Sequence, residues 1–384
     1  MAPAPLTTRR EMLRRALAVA AASTLNPAGA AAAAVVTTQD VVAPSSSKAK
    51  GDVAASDVPS ARPSHPDDPP TRVTATGRII AIGDLHGDWR KTIGALSTAK
   101  VIAVNELDEV IWTGGDTCVV QVGDVLDRGD HEIAIVKLLR DLDKQARKEG
   151  GAVHMLNGNH ESLNVCGDFR YVTPGAFAES ALYSGLQEGE LTDWDLLARV
   201  RYAVYRPGGP MALELAKNPT VLIVNDTAFA HGGLLPVHAN YGIEKLNADV
   251  AAWMRADTTP DGGKAAPPFL AMGDSSSVMW NRTQSKEHFP SPNERYTSCR
   301  MLSQALEKIG ATRLVVGHTP QLSGANCECE GQVWRLDVGM SYGVLNRPVQ
   351  VLEITRDKDG KDTMAVLSEG GECLASYDED GLPL

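Results

Sequence analysis

Six side chains of metal-binding type recur where short apolar runs end: Asp84, His86, Asp124, Asn159, His231 and His318. Two carboxylates, one amide and three imidazoles make a poor thiol-type zinc site but a good mixed oxygen and nitrogen site for two first-row divalent ions. Asp84 and His86 are two residues apart, and the two-residue period of an extended chain returns both to one side. Asp124 is, by position, the carboxylate able to bridge both ions. Two ions roughly 3.5 to 4 Å apart generate a hydroxide near neutral pH and clamp both sides of an in-line displacement at phosphorus. The neighbours suit that reaction. Arg128 and a second arginine would grip phosphate oxygens bidentately, and His160 would protonate the leaving alkoxide. Asp127 would orient His160 and raise its pKa by its negative charge.

These residues need elements that place them together. Arg78-Ile79-Ile80-Ala81-Ile82 runs into Gly83-Asp84-Leu85-His86-Gly87, and Cys118-Val119-Val120-Gln121-Val122 into Gly123-Asp124-Val125-Leu126-Asp127-Arg128-Gly129. Ala152 to Leu156 leads to Asn157-Gly158-Asn159-His160-Glu161, Thr227 to Ala230 to His231-Gly232-Gly233, and Leu314 to Val316 to Gly317-His318-Thr319-Pro320. Runs this apolar predict strands buried on both faces, with helices over 131–149 and 296–309 packed outside. In such α/β layers, ligands gather beyond the carboxyl ends of the strands. A single Gly-Asp-x-His-Gly or Gly-His-Thr-Pro is as readily a structural turn; all five in order, each after a buried strand, carry the reading. Four of the nine histidines fall in these motifs; His65 belongs to the linker, and His131, His154, His238 and His288 are assigned to surface, helix cap or core.

The 384 residues are unevenly composed. All 19 aromatic side chains lie beyond position 72, so the segment before it buries too little apolar surface to offset its ordering entropy. Residues 1–40 read as a cleavable targeting leader, 41–72 as a disordered Pro/Ser-rich linker, and 73–384 as one catalytic α/β domain with a partly helical insertion at 162–230. The insertion, with helical pieces at 176–186 and 193–204, is expected to cover one side of the cleft and shape substrate choice. In the leader, Thr8-Arg9-Arg10-Glu11-Met12-Leu13 looks like a twin-arginine export signal. An organelle transit peptide is the rival reading, and a plain disordered tail the third. The uncharged stretch that follows is mostly alanine, broken by Asn26, Pro27 and Gly29, so no membrane span is expected. The net charge is −11 overall, and beyond position 72 the count is 29 basic against 42 acidic residues. That acidic body argues against nucleic acid or an anionic membrane as the main partner. A bound metal or a pair of arginines reverses the sign locally, so a phosphorylated substrate stays admissible. Six scattered cysteines do not read as a disulfide framework. Cys118 and Cys166 are expected to be buried, and Cys327 and Cys329 to be an accessible close pair, either unrelated thiols or a redox or weak metal site.

The ordered set GDLHG, GDVLDRG, GNHE, HGG and GHT resembles the phosphoprotein phosphatases of the calcineurin-like metallophosphoesterase superfamily, over about Ala81 to Gly343. Val278-Met279-Trp280-Asn281-Arg282, the run Trp334 to Ser341, and the roughly 70 residues between His160 and His231 are most like the Shewanella-like branch, known in bacteria, algae and plants. The resemblance implies a sandwich of central mixed β-sheets flanked by helices. It implies that Asp84, His86 and Asp124 hold one ion and that Asp124, Asn159, His231 and His318 hold the other. His160 would be the proton donor paired with Asp127, and Arg128 and Arg282 would bind phosphate. The cofactors would be two divalent ions, Mn or an Fe/Zn pair, and the substrate a phosphoserine, phosphothreonine or phosphotyrosine protein or peptide. The leader then reads as plastid import, reaching the lumen through the twin-arginine element, or as bacterial-type export. There are departures: Asn157 precedes the Gly-Asn-His-Glu where eukaryotic Ser/Thr phosphatases carry arginine, Met340-Ser341-Tyr342-Gly343 stands where they have SAPNY, and Pro320 replaces the extra histidine of many metallophosphoesterases. A dinucleoside polyphosphate hydrolase is the alternative; such enzymes typically lack Asp127 and read GNHD in place of GNHE. An inactive binding module on the same fold is a third reading. Oligomeric state is open.

Overall fold

The computed structural model describes residues 65–384 except Asp108, Gly370 and Gly371; the leader at 1–40 and the linker as far as residue 64 lie outside the described residues. In chain order the strands and helices are β1 (Arg72–Val73), β2 (Ile79–Ile82), α1 (Trp89–Thr98), β3 (Ile102–Val104), β4 (Val110–Trp112), β5 (Cys118–Gln121), α2 (Glu132–Ala146) and β6 (Ala152–Met155). Then come α3 (Asn159–Cys166), α4 (Pro174–Tyr183), α5 (Trp194–Tyr205), α6 (Pro210–Leu215), β7 (Val221–Val224), β8 (Thr227–Ala230), α7 (Pro236–Tyr241) and α8 (Ile243–Arg255). The chain closes with α9 (Pro292–Ile309), β9 (Arg313–Val316), β10 (Asn326–Glu328), β11 (Val333–Arg335), β12 (Gln350–Arg356), β13 (Asp362–Ser368) and β14 (Glu372–Tyr377).

Two six-stranded mixed sheets carry the molecule, in the orders β1-β7-β8-β9-β11-β10 and β14-β13-β12-β2-β5-β6, beside a small β3-β4 ribbon. Strand parity explains the layers. Ile79 and Ala81 of β2 join Val120, Leu222, Phe229, Val315 and Trp334 in one apolar cluster drawn from both sheets. Their neighbours Ile80 and Ile82 join residues of the helices in a second cluster. One face of each sheet therefore packs on the other sheet and the opposite face packs on helices, which is why β2 and β7 are apolar at every position. Each fully buried Val, Leu or Ile is stabilised by ~1.5 to 3 kcal/mol of transfer free energy, so a one-residue slip that swapped faces would be costly. Within the second sheet β2, β5 and β6 run parallel, with Ile79 opposite Cys118 and Cys118 opposite Ala152. That register brings the ends of three motif-bearing strands to one edge. The helices start where capping chemistry allows: Asp88 accepts from the Lys91 amide, and Thr173, with Pro174 at the first helical position, accepts from Ala176. Among the described residues no helix is long and apolar enough to cross a membrane.

Three expectations are corrected. Residues 65–72, assigned to the linker, lie on the body: β1 pairs in parallel with β7, and Arg255 Nη2 reaches Asp68 at 2.8 Å. Apart from buried Pro69, those eight residues are held by backbone pairing and charge, so composition did not reveal them. Cys329 is buried and disulfide-bonded to Cys299 of α9, with Cα atoms 5.3 Å apart, and does not form an accessible pair with Cys327. The partner is 30 residues away in sequence and only the packing of α9 on the β10–β11 turn brings it close. Closing a loop of that size removes ~3 to 4 kcal/mol of denatured-state entropy. Cys299→Ala should therefore lower equilibrium stability by about that amount in non-reducing denaturant, and an unchanged midpoint would show that the bond contributes nothing. Cys166, expected to be buried, is exposed at the end of α3; Cys118 is buried as expected.

Candidate metal centre

Each motif delivers its residue from a strand end, and tight turns aim it. Asp84 and His86 follow β2, Asp124 follows β5, Asn159 and His160 open α3 after β6, His231 follows β8, and His318 follows β9. Five residues here hold left-handed backbone without being glycine: His86, Asp124, Asp127, Arg128 and His318. Such conformations cost on the order of 1 to 3 kcal/mol each and persist where the surroundings impose them. The turns interlock. Asp124 O accepts the Leu85 and His86 amides, both at 3.0 Å, Gly317 donates to His231 O at 2.9 Å, and His318 N donates to Asp84 Oδ2 at 3.1 Å. A Cβ on Gly158 or Gly317 would collide with Asp124 or Asp84, so the close approach needs glycine at both.

Asp124 is the hub. Its Oδ2 lies 3.1 Å from His231 Nε2, 3.8 Å from His160 Nε2 and 3.9 Å from His86 Nε2, and its Oδ1 accepts the His160 amide at 3.0 Å. Two ligand-type clusters share it: His86, Asp124 and His160, and Asp124, His231 and His318. His231 Nε2 also stands 2.9 Å from Asn159 Oδ1. Two imidazoles are aimed by their other nitrogen, His86 Nδ1 at Leu126 O (3.0 Å) and His231 Nδ1 at Val122 O (2.9 Å). A ring that donates its Nδ1–H to a carbonyl presents its Nε2 lone pair to the cluster, the usual arrangement behind metal-binding histidines. His318 is turned the other way, its Nε2 held by Trp280 O at 3.1 Å.

The electrostatics suit divalent ions. Burial and the neighbouring Asp337 push the Asp84 carboxyl well up, while His231, His160 and His86 outweigh burial and hold Asp124 well down. Burial works to lower His231, but Asp124 and Asp84 raise it to about 10. Buried carboxylates and imidazoles crowded in this way favour positive charge among them, which two divalent ions would supply. The donor set thus fits metal ions on its own chemistry.

His160 Nδ1 stands 2.6 Å from Asp127 Oδ2. Burial opposes protonation of His160, but Asp124 and Asp127 prevail and raise its pKa. Arg128 and Arg282 flank the cluster: Arg128 lies 4.7 Å over the Tyr171 ring, and exposed Arg282 donates to His318 O at 2.9 Å and Thr319 Oγ1 at 2.7 Å. The fold therefore gathers all ten residues singled out in the sequence. Several supporting residues were not foreseen. Glu161, read only as a mark of one motif, accepts four backbone amides: Asp124 at 2.9 Å, Gly158 at 2.6 Å, Val125 at 2.9 Å and Leu126 at 3.1 Å. Glu161→Ala should orphan all four and lower stability by at least ~3 kcal/mol, read by denaturant unfolding; a loss below ~1 kcal/mol would mean that water takes over the carboxylate's bonds. Asp337, in the Trp334 to Ser341 run, is buried beside Asp84 and Asp124, with its pKa raised to about 6 by that burial and the Asp124 charge. Tyr171 faces the His160 ring at 5.1 Å. The insertion reaches the site through Tyr171, beside the His160 ring, and through Asn164, whose Nδ2 donates to Asp127 Oδ1 at 2.9 Å. Its last segments, β7 and β8, are sheet strands.

A two-sheet sandwich with a buried Asp/His/Asn cluster at its strand ends defines a metallophosphatase-type fold. The chain belongs to the calcineurin-like phosphoesterase family, whose model matches residues 77–322. It is 39% identical over 316 residues to Shewanella-like protein phosphatase 2 of Arabidopsis thaliana, covering 75% of this chain and 77% of that one. It is 32% identical to Shewanella-like protein phosphatase 1 of Plasmodium berghei, covering 69% and 67%. Among solved structures, a cold-active protein-tyrosine phosphatase of a psychrophilic Shewanella species shares the fold, with TM-score 0.57, 20% identity and coverage of 82% and 84%.

Proposed function

We propose that this protein is a metal-dependent phosphoprotein phosphatase that hydrolyses phosphomonoesters on serine, threonine or tyrosine. The observation that carries the reading is the Asp127–His160 pair at 2.6 Å beside the Asp124 hub, because a proton donor set against a metal cluster is what loss of an alkoxide requires. Similarity to the Shewanella-like protein phosphatases supports the same class of substrate. Asp84, His86 and Asp124 would hold one ion, and Asp124, Asn159, His231 and His318 the other, with Mn or an Fe/Zn pair compatible with the donors. When bound, the ions supply Lewis acidity and activate water. Arg128 and Arg282 would hold phosphoryl oxygens from opposite sides. His160 Nε2 would hand its proton to the leaving oxygen as the bond from phosphorus to that oxygen breaks, while Asp127 Oδ2 keeps Nδ1 in place. The test compares phosphoserine, phosphothreonine and phosphotyrosine peptides with diadenosine tetraphosphate, using the Mn-loaded protein. A preference for the dinucleotide would transfer the assignment to the alternative hydrolase.

We also propose that residues 1–40 direct the body out of the cytosol, to a plastid or by bacterial-type export. The Cys299–Cys329 disulfide supports an oxidising destination. Residues 1–72 fused to a fluorescent protein should leave the cytosol; retention there would remove the idea.

A further inference from the structure

The Asp127–His160 pair rests on a buried polar column that none of the motifs contains. Arg201, on α5 in the insertion, is fully buried, as are Asn164, Glu132 and Asp127. Its Nη2 and Nε donate to Asn164 Oδ1 at 2.6 and 3.1 Å, and its Nη1 pairs with Glu132 Oε2 at 2.8 Å. Both partners end on Asp127: Asn164 Nδ2 donates to Asp127 Oδ1 at 2.9 Å and to His160 O at 2.9 Å, and Glu132 Oε1 accepts the Asp127 amide at 2.6 Å.

We propose that Arg201 is a positioning residue for the proton donor, acting through Asn164 and Glu132 to hold Asp127 and thereby His160. This rests on the reading of His160 as proton donor. The chemistry of the donors sets the direction of the chain. Arginine has five N–H donors and no acceptor, so the Asn164 amide must turn its oxygen to Arg201 and its NH₂ to Asp127. Asp127 Oδ1 is thereby occupied by a donor, which leaves Oδ2 to hold His160 Nδ1 and aims Nε2 at the cluster. Arg201 also balances Glu132, whose carboxylate fixes the Asp127 backbone in its left-handed conformation. Remaining Nη1 contacts run to Ala176 O at 3.2 Å and Ser180 Oγ at 3.1 Å on α4, so the column ties both insertion helices to the reacting edge. Bulk alone would need none of these directed bonds.

A misplaced proton donor has a signature: it slows esters whose leaving oxygen needs a proton and spares those with a good leaving group. The test uses the full chain with phenyl phosphate as the poor leaving group and p-nitrophenyl phosphate as the good one, for Arg201→Met, Asn164→Ala and the double variant. Arg201→Met with Glu132→Gln is included because it leaves no unpaired buried carboxylate if the single change does not fold. Displacement by ~1 Å costs on the order of 100-fold, so kcat on phenyl phosphate should fall ~30- to 100-fold. On p-nitrophenyl phosphate the fall should stay under ~5-fold, with KM little changed and both metals retained. Arg201→Met with Asn164→Ala should be no worse than the worse single variant, as expected for one chain of contacts. Equal loss on both esters, wild-type rates or additive effects would overturn the assignment. His160→Asn is measured alongside. If it lacks the leaving-group signature, the proton-donor reading fails; if it shows the signature and the Arg201 variants do not, only the role of Arg201 fails.

Discussion

His160→Ala is expected to lower kcat by ~10²- to 10⁴-fold, the span that a positioned acid or base contributes, while two metal ions remain bound. The geometry separates these effects. His160 Nδ1 is committed to Asp127 at 2.6 Å, and Nε2 stands 3.8 Å from Asp124 Oδ2 on the edge of the cluster. Proximity alone groups His160 with His86 and Asp124 as a possible ligand set, which is why the metal measurement decides. Elemental analysis of the dialysed variant showing one ion in place of two would make His160 a ligand. The loss should be steepest for alkyl leaving groups, which cannot depart unprotonated.

Asp124→Asn should damage both ion positions at once. Its Oδ2 lies within 3.9 Å of three imidazoles, and among the described residues no other carboxylate belongs to both ligand clusters. Replacing one oxygen by NH₂ removes the negative charge that faces His231 and would turn a donor toward any bound cation. Loss of an outer partner of a metal site costs ~10- to 100-fold in affinity, so loss of the shared ligand should exceed that for both ions. Full two-metal occupancy in Asp124→Asn after dialysis against a weak chelator would contradict the bridging assignment. The amide at Asn159 offers a comparison: Asn159→Ala should weaken one position and leave the other.

Much of this site was legible along the chain, because each ligand follows a short strand; Asp84 and His86 are related by the turn after β2, where His86 is left-handed, and not by the two-residue period of an extended chain. Asp84 and His86, or Asp124 and Asp127, are close in sequence for the same reason that they are close in space. Asn164 was within reach too, one helical turn beyond His160 on a helix that opens at Asn159. Glu161 was visible as a residue but not as a role, since its four partners are backbone amides that no side-chain pattern encodes. Arg201 gave no signal; an arginine in an amphipathic helix reads as solvent-facing, and only the packing of α5 against α3 and α4 buries it. Cys299 and Cys329 behave the same way across 30 residues.

What the sequence by itself determined is the chemistry available and the local geometry that presents it: two carboxylates, an amide and three imidazoles, each placed by a strand and a turn. Tertiary structure decided which oxygen of Asp124 faces which ring, what stands behind His160, and that residues 65–72 belong to the body. The physical reason is range. Strand parity, capping and turn conformation act within a few residues and leave a pattern in the chain, whereas burial of Arg201, the β1–β7 pairing and the Cys299–Cys329 bond depend on surfaces that meet only when the sheets and helices have packed.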